Sequence, residues 1–303
     1  MRLVEYAPAK VNLFLGVQPG IVDGRHLLTS VFSTIALFDK MTFDFEEGTS
    51  LDNNAVTLEI PEDHTTASIN LPLDENIVMQ AVKVFLSTFG AEAVPAKSLH
   101  IRLEKQIPTQ AGLGGGSSDA AATLKALAHV AGVDSTATAL FECARSIGSD
   151  VSFFLCGGCA HMDGFGDKLV EQLVLPELDL VLAKPTEGVS TREVYRAFDE
   201  LAPAAAVPDS AALITALRKG ADVLGLTAAM ANNLEPVSIK LLSTIADIKQ
   251  HFDRSPGVIH SMISGSGSTV FGICRDAEAA RQFAEYMMEL GYWACATTTL
   301  PAD

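Results

Sequence analysis

Pro108-Thr109-Gln110-Ala111-Gly112-Leu113-Gly114-Gly115-Gly116-Ser117-Ser118-Asp119-Ala120 is the stretch on which the reading of this chain turns. Before it, Leu99, Ile101 and Leu103 alternate with polar residues, the pattern of a half-buried strand. After it, Ala120, Leu124, Leu127, Ala128 and Ala131 fall on one face of a helix, with Ser117 or Ser118 as the expected N-cap and Gly132 as the stop. A tight strand-to-helix turn needs one or two glycines. Four within five positions, followed by Ser-Ser and a helix, describe a phosphate cradle instead. Glycine tolerates positive φ and lets backbone come close to a ligand. Successive N–H groups then converge on an anion, and the helix start adds unpaired donors and the positive end of its dipole.

The loop is not a P-loop, because no Gly-Lys-Ser/Thr follows. It is not a dinucleotide fingerprint either, because about 20 residues on, Ala137 to Leu140 read as helix with no acidic residue closing a strand. Asp119 suits the dipole at the helix start. It would repel a phosphate unless it turns aside or helps to hold a cation.

Further out, Val11–Val17, Thr42–Phe45, Val56–Ile60, Leu178–Ala183, Phe271–Cys274 and Trp293–Thr298 read as strands. Asn76–Phe89, Thr136–Ile147 (ended by Gly148) and Asp276–Leu290 read as helices. Strands come first and helices do not alternate strictly with them, which favours α+β over a doubly wound parallel sheet. The length of 303 residues suits two domains, expected as 1–160 and 161–303 with the break in the Gly-rich stretch around 157–166.

The formal charge of −16 argues against a nucleic-acid partner, which needs a basic surface to neutralise phosphate. An anionic small substrate then requires a local patch of positive potential. No apolar run nears the roughly 18 residues of a membrane span. Asn12 breaks the apolar stretch near the N-terminus and no small-residue cleavage site follows, so the expected location is cytoplasmic. Five cysteines, an odd number, suggest reduced thiols rather than a disulfide framework. Cys156 and Cys159 form a CxxC flanking Gly-Gly, with His161 beyond. A redox or zinc role is open, and small buried residues at a tight bend is the favoured reading.

Three ordered motifs resemble those of the GHMP kinases, the superfamily of galactokinase, homoserine kinase and mevalonate kinase. Pro8-Ala9-Lys10-Val11-Asn12-Leu13 looks like the first, the Pro108–Asp119 loop resembles the second, and Ser264-Gly265-Ser266-Gly267-Ser268-Thr269 resembles the third. Within the superfamily, Asp23-Gly24-Arg25-His26 and Gly148-Ser149-Asp150-Val151-Ser152-Phe153-Phe154 are similar to segments of the 4-diphosphocytidyl-2-C-methyl-D-erythritol kinases of non-mevalonate isoprenoid synthesis. There are departures. Arg25 stands where that family has a Tyr that stacks on cytosine, Ser152 and Ser268 stand where Pro is usual, and Pro185–Tyr195 matches the family's substrate segment only loosely.

The resemblance implies a ribosomal protein S5 domain 2-like N-terminal domain followed by an α/β-plait C-terminal domain. It implies ATP and Mg²⁺, and a cytidine diphosphate-linked alcohol as the small-molecule substrate. Residues 108–118 would bind ATP, with Lys105 on the same side. Asp150 would act as general base or orienter of the accepting hydroxyl. Lys10 would hold Asp150 ionised and stabilise charge on the group in transit. Asn12, Arg25, His26, Thr191 and Tyr195 would bind the acceptor, Gly265, Ser266 and Gly267 form the third motif, and Ser118 or Asp119 would touch the metal. Two alternatives stay open at this point: another small-molecule kinase of the homoserine or mevalonate type, and a non-catalytic nucleotide-binding protein on the same fold.

Overall fold

A computed structural model describes residues 1–61, 75–201 and 207–302. The strands are β1 (Arg2–Val17), β2 (Leu28–Glu47), β3 (Val56–Glu59), β4 (Ala96–Glu104), β5 (Cys159–Asp163), β6 (Lys168–Leu173), β7 (Asp179–Lys184), β8 (Ala231–Asn232), β9 (Val258–Ile263), β10 (Val270–Cys274) and β11 (Trp293–Thr298). The helices are α1 (Ile77–Phe89), α2 (Gly115–Ala131), α3 (Thr138–Ile147), α4 (Val151–Cys156), α5 (Thr191–Leu201), α6 (Ala211–Arg218), α7 (Val223–Thr227), α8 (Glu235–Leu241), α9 (Thr244–Arg254) and α10 (Ala277–Glu289). The chain divides into two compact units. One comprises Met1–Ala9, Leu37–Thr109 and Gly114–Cys156; the other comprises Lys10–Ala36, Gln110–Leu113 and Gly157–Asp303.

In the first unit, β4 pairs antiparallel with the far half of β2 (Phe43 opposite Ile101) and parallel with β3 (Leu58 opposite Ile101). Period-two alternation puts Met41, Phe43, Phe45, Leu99, Ile101 and Leu103 on a buried face. Each such large side chain contributes about 2 kcal/mol by leaving water. Helix α1 starts at an Asn76 cap, whose Oδ1 accepts from the Val78 N–H at 2.9 Å, and buries Val78, Ala81, Val82 and Phe85. The alanines of α2 let it pack closely between α1 and α4.

In the second unit, β11-β7-β10-β9 form an antiparallel sheet with α9 and α10 packed against it, the arrangement of an α/β plait. Phe252 and Phe283 meet edge to face between helices and sheet, at 4.8 Å between ring centroids. Gly272 is required there, since a Cβ would stand 2.8 Å from the Phe252 ring. In the same unit the near half of β2 pairs with β5, and β1 runs parallel to the short β8.

Several elements differ from the expectations. Helix α2 begins earlier: its N-cap is Gly114, left-handed at φ 73°, and both serines lie in the first turn. The reason is steric, because only glycine enters that conformation without cost. Helix α3 begins at Thr138, since the Asp134 carboxylate accepts from Thr136 N (2.7 Å) and Thr136 Oγ1 (2.6 Å) and holds those residues in a turn. The first half of β1 and most of β2 escape a pattern search because their polar positions do not alternate cleanly. Cys156 ends α4 and Cys159 opens β5, with Gly157 and Gly158 at φ 66° and 64° making the bend. Neither thiol is in a disulfide, and burial pushes that of Cys159 up to about 12.

Candidate active site

In the first unit the loop rests on a buried ion cluster. Lys105 follows the last residue of β4, and its ammonium donates to the carboxylates of Asp39 on β2 and of Asp119, the fifth residue of α2, the latter at 2.8 Å. All three side chains are nearly inaccessible, at 4%, 0% and 3% exposure. Burial pushes the Asp119 carboxyl up to about 8; Lys105 pulls it down and Asp39 pushes it further up. Burial draws Lys105 down, but the two carboxylates outweigh it and the net shift is upward. Asp119 turns one oxygen to Lys105, whose ammonium it shares with Asp39.

Two buried polar atoms near the start of α2 have no hydrogen-bond partner among the described residues: Ser118 Oγ and Asp119 Oδ1. An orphaned buried polar atom costs about 1–3 kcal/mol, so the pair leaves hydrogen-bonding capacity beside the Gly-rich loop unused. Gly115 is needed beside them, since a Cβ would lie 3.0 Å from Ile107 Cγ2 and 3.3 Å from Lys105 Nζ. Pro108 and Thr109 are half-buried on the approach, while Gly116 abuts Ile77. Asp150 precedes α4, half-buried, with Ser149 Oγ donating to its Oδ1 at 3.4 Å. Ser152, at an expected Pro position, is buried and donates to Ser149 O at 3.3 Å.

In the second unit a polar chain runs inward from β1. Lys10, 4% exposed, donates through Nζ to Asn12 Oδ1 at 2.6 Å and stands 5.0 Å from the Phe32 ring centroid. Asn12 Nδ2 donates to Ser30 Oγ at 2.9 Å, which donates to Phe14 O at 2.6 Å. The Gln110–Leu113 segment is tied in on both sides. Lys10 N donates to Leu113 O, Ser264 Oγ to Gly112 O and Thr269 N to Ala111 O, at 2.9, 2.9 and 3.2 Å. Gly112 has φ +75°, and a Cβ there would come within 2.1 Å of Ser264 O. Gly265, at φ +60°, sits against Lys10 Nζ and Asn12 Oδ1, each 3.4 Å from where its Cβ would be. The first and third motifs and this part of the loop therefore share one neighbourhood.

The remaining candidates come from residues 25–26, α5 and the third motif. Ser266 Oγ and Thr191 Oγ1 are 3.0 Å apart, joining the third motif to the start of α5. Gly267, at φ +86°, turns against Ile263. His26 Nε2 meets Asp199 Oδ1 at 2.6 Å, and its ring lies 5.0 Å from that of Tyr195. Arg25 closes a two-residue hairpin through paired backbone bonds with Val22, Asp23 and Gly24 having positive φ. Its guanidinium lies 3.9 Å from the Phe165 ring centroid. Sequence reasoning missed Asp39, Ser30, Asp199, Phe165 and Asn232, whose Nδ2 donates to Ile263 O and Gly265 O. Only Asp39 left a signal, as a charge inside the apolar run Ile35–Met41.

The family models agree with this architecture. Residues 76–158 match the GHMP kinases N terminal domain and residues 211–292 match the GHMP kinases C terminal domain, and the chain belongs to the GHMP kinases. The 4-diphosphocytidyl-2-C-methyl-D-erythritol kinase of Pelotomaculum thermopropionicum is 38% identical over 94% of this chain and 93% of its own length. That of Desulfitobacterium hafniense is 36% identical over 97% and 95%. A crystal structure of 4-(cytidine 5'-diphospho)-2C-methyl-D-erythritol kinase superposes with a TM-score of 0.77 at 32% identity, covering 98% of this chain and 99% of that one. Within the GHMP kinases, the chain belongs to this 4-diphosphocytidyl-2-C-methyl-D-erythritol kinase family.

Proposed function

We propose that the protein transfers the γ-phosphoryl group of ATP to the 2-hydroxyl of 4-diphosphocytidyl-2-C-methyl-D-erythritol, in the cytoplasm, as a step of non-mevalonate isoprenoid synthesis. The observation that carries the reading is the Gly-rich loop opening α2 with two buried, unpartnered oxygens, in a chain whose relatives carry that kinase name. Among the described residues no helix is long and apolar enough to cross a membrane.

Phosphoryl transfer rests on in-line placement and on neutralising charge that spreads over the moving group. The loop N–H groups and the α2 dipole hold the phosphates. Ser118 Oγ and Asp119 Oδ1 are hard oxygen donors without partners among the described residues, so they would hold Mg²⁺, which would supply positive charge to offset that of the phosphates. Asp150 accepts the hydrogen bond of the acceptor hydroxyl and takes its proton. Lys10, held in orientation by Asn12, stabilises negative charge on the transferring group. His26, oriented by Asp199, and Tyr195 beside it bind the cytidine end, with Arg25 presenting a guanidinium plane that stacks on a base. Thr191 joins the acceptor segment to the third motif.

The test is an ADP-coupled assay with Mg²⁺ and four acceptors: the cytidine compound, its uridine analogue, homoserine and mevalonate. Turnover confined to the cytidine compound supports the assignment. Turnover with another alcohol moves the substrate, and ATP binding without any turnover favours a non-catalytic protein.

A further inference from the structure

Asp39 belongs to none of the three motifs, yet it is fully buried in β2. A buried carboxylate is costly unless neutralised and hydrogen-bonded. Every bond Asp39 makes serves the approach to the Gly-rich loop. Its Oδ1 accepts from the consecutive backbone N–H groups of Gln106 (2.5 Å) and Ile107 (2.8 Å), directly before Pro108. Its Oδ2 accepts from Lys105 Nζ, which donates onward at 2.8 Å to Asp119 Oδ2 near the start of α2. One side chain thus fixes the residues entering the loop and, through Lys105, the helical turn leaving it. That turn carries the two orphaned oxygens, Ser118 Oγ and Asp119 Oδ1. With Lys105 on Oδ2, Asp119 is left to offer Oδ1 to a ligand.

We infer that Asp39 is a positioning residue for nucleotide binding, holding Lys105 and the strand end so that Ser118 Oγ faces the ATP phosphates and Asp119 Oδ1 faces their cation. The inference rests on the loop being the ATP site. It acts through other residues, so its signature is a split between the two substrates and not a general loss of stability.

The experiment uses Asp39→Asn in the full chain. Asparagine keeps the size and an oxygen for the two N–H groups but gives Lys105 an amide donor where it had an acceptor. A second variant, Asp39→Asn with Lys105→Met, removes the facing ammonium as well. The readouts are calorimetric binding of a non-hydrolysable ATP analogue with Mg²⁺, KM for ATP and for the acceptor alcohol, and the thermal midpoint. Loss of a charged hydrogen bond predicts analogue binding and ATP KM weakened roughly ten- to a hundredfold in both variants, with acceptor KM within about twofold. A folded variant that binds the analogue as wild type does, or a matched rise in both KM values, overturns the inference. Loss of the cooperative melt in both variants also overturns it, assigning Asp39 to folding alone. Failure of the wild-type protein to bind the analogue is a separate result that removes the ATP reading of the loop.

Discussion

His26 Nε2 lies 2.6 Å from Asp199 Oδ1, a contact between residues 173 apart in the chain, and the His26 side chain is 7% exposed. The carboxylate fixes the ring's orientation and which nitrogen carries a proton. Asp199→Asn keeps the shape and weakens this bond. The expected outcome is a rise in acceptor KM of roughly tenfold, with ATP KM unmoved in steady-state kinetics. A change confined to ATP would detach His26 from the acceptor side.

Gly112 carries two constraints at once, a φ of +75° and a carbonyl oxygen 2.1 Å from a notional Cβ. Gly112→Ala is expected to lower stability by about 2 kcal/mol or more, measured by urea unfolding. Gly20 has φ +90° and open space, so Gly20→Ala bears only the backbone cost of about 1 kcal/mol. Equal losses at the two positions would show that the approach to Ser264 carries no weight.

Lys10→Ala and Asp150→Asn each leave the fold standing, as circular dichroism will show, and each lose kcat by about 10²- to 10⁴-fold. Full turnover in either variant removes that residue from the chemistry.

Gly115 faces Ile107 and Lys105 at 3.0 and 3.3 Å from the position of an added Cβ. Gly115→Val drives two further methyl groups into that contact and shifts the Lys105 cluster. ATP KM is expected to rise more than acceptor KM; an unchanged ATP response in initial-rate measurements takes the loop out of the nucleotide site.

Burial pushes the Cys159 thiol up to about 12, and burial with the nearby Asp179 and Asp276 does the same for Cys274, against an ordinary value of 9.0. The native state therefore keeps protons that the unfolded chain releases. This contribution to stability is complete below about pH 9 and is lost as pH rises toward 12. Denaturation midpoints should fall over that window, less steeply in Cys159→Ala. In native protein at pH 8, both thiols should react with a thiol reagent only as fast as the chain opens. Rapid labelling of either would show that it is accessible.

Much of this was legible in the chain. The clustered glycines before Ser117-Ser118 announce a tight Gly-rich turn into a helix, which the structure places at Gly114–Gly115. The alternation in β4 and the capping pairs Asn76 with Val78 and Asp276 with Ala279 are local, so they can be read from neighbours. The helix start at Gly114 was not legible, because left-handed backbone there answers to the loop's path and not to a serine's capping preference. Lys105 was readable as a cation beside the loop, but its two carboxylate partners were not, since one lies on another strand.

The amino-acid sequence by itself determined the family, the Gly-rich loop that opens a helix and the residue types available for chemistry. These depend on spacing along the chain and on side-chain chemistry. Only the tertiary structure decided that Asp39 and Asp119 share Lys105, that Asp199 faces His26, and that Ser264 closes on Gly112. Those pairings join residues 14 to 173 positions apart. Their energy comes from burial that withdraws water from charged and polar groups, and burial is set by packing of whole elements, which no local stretch of sequence contains.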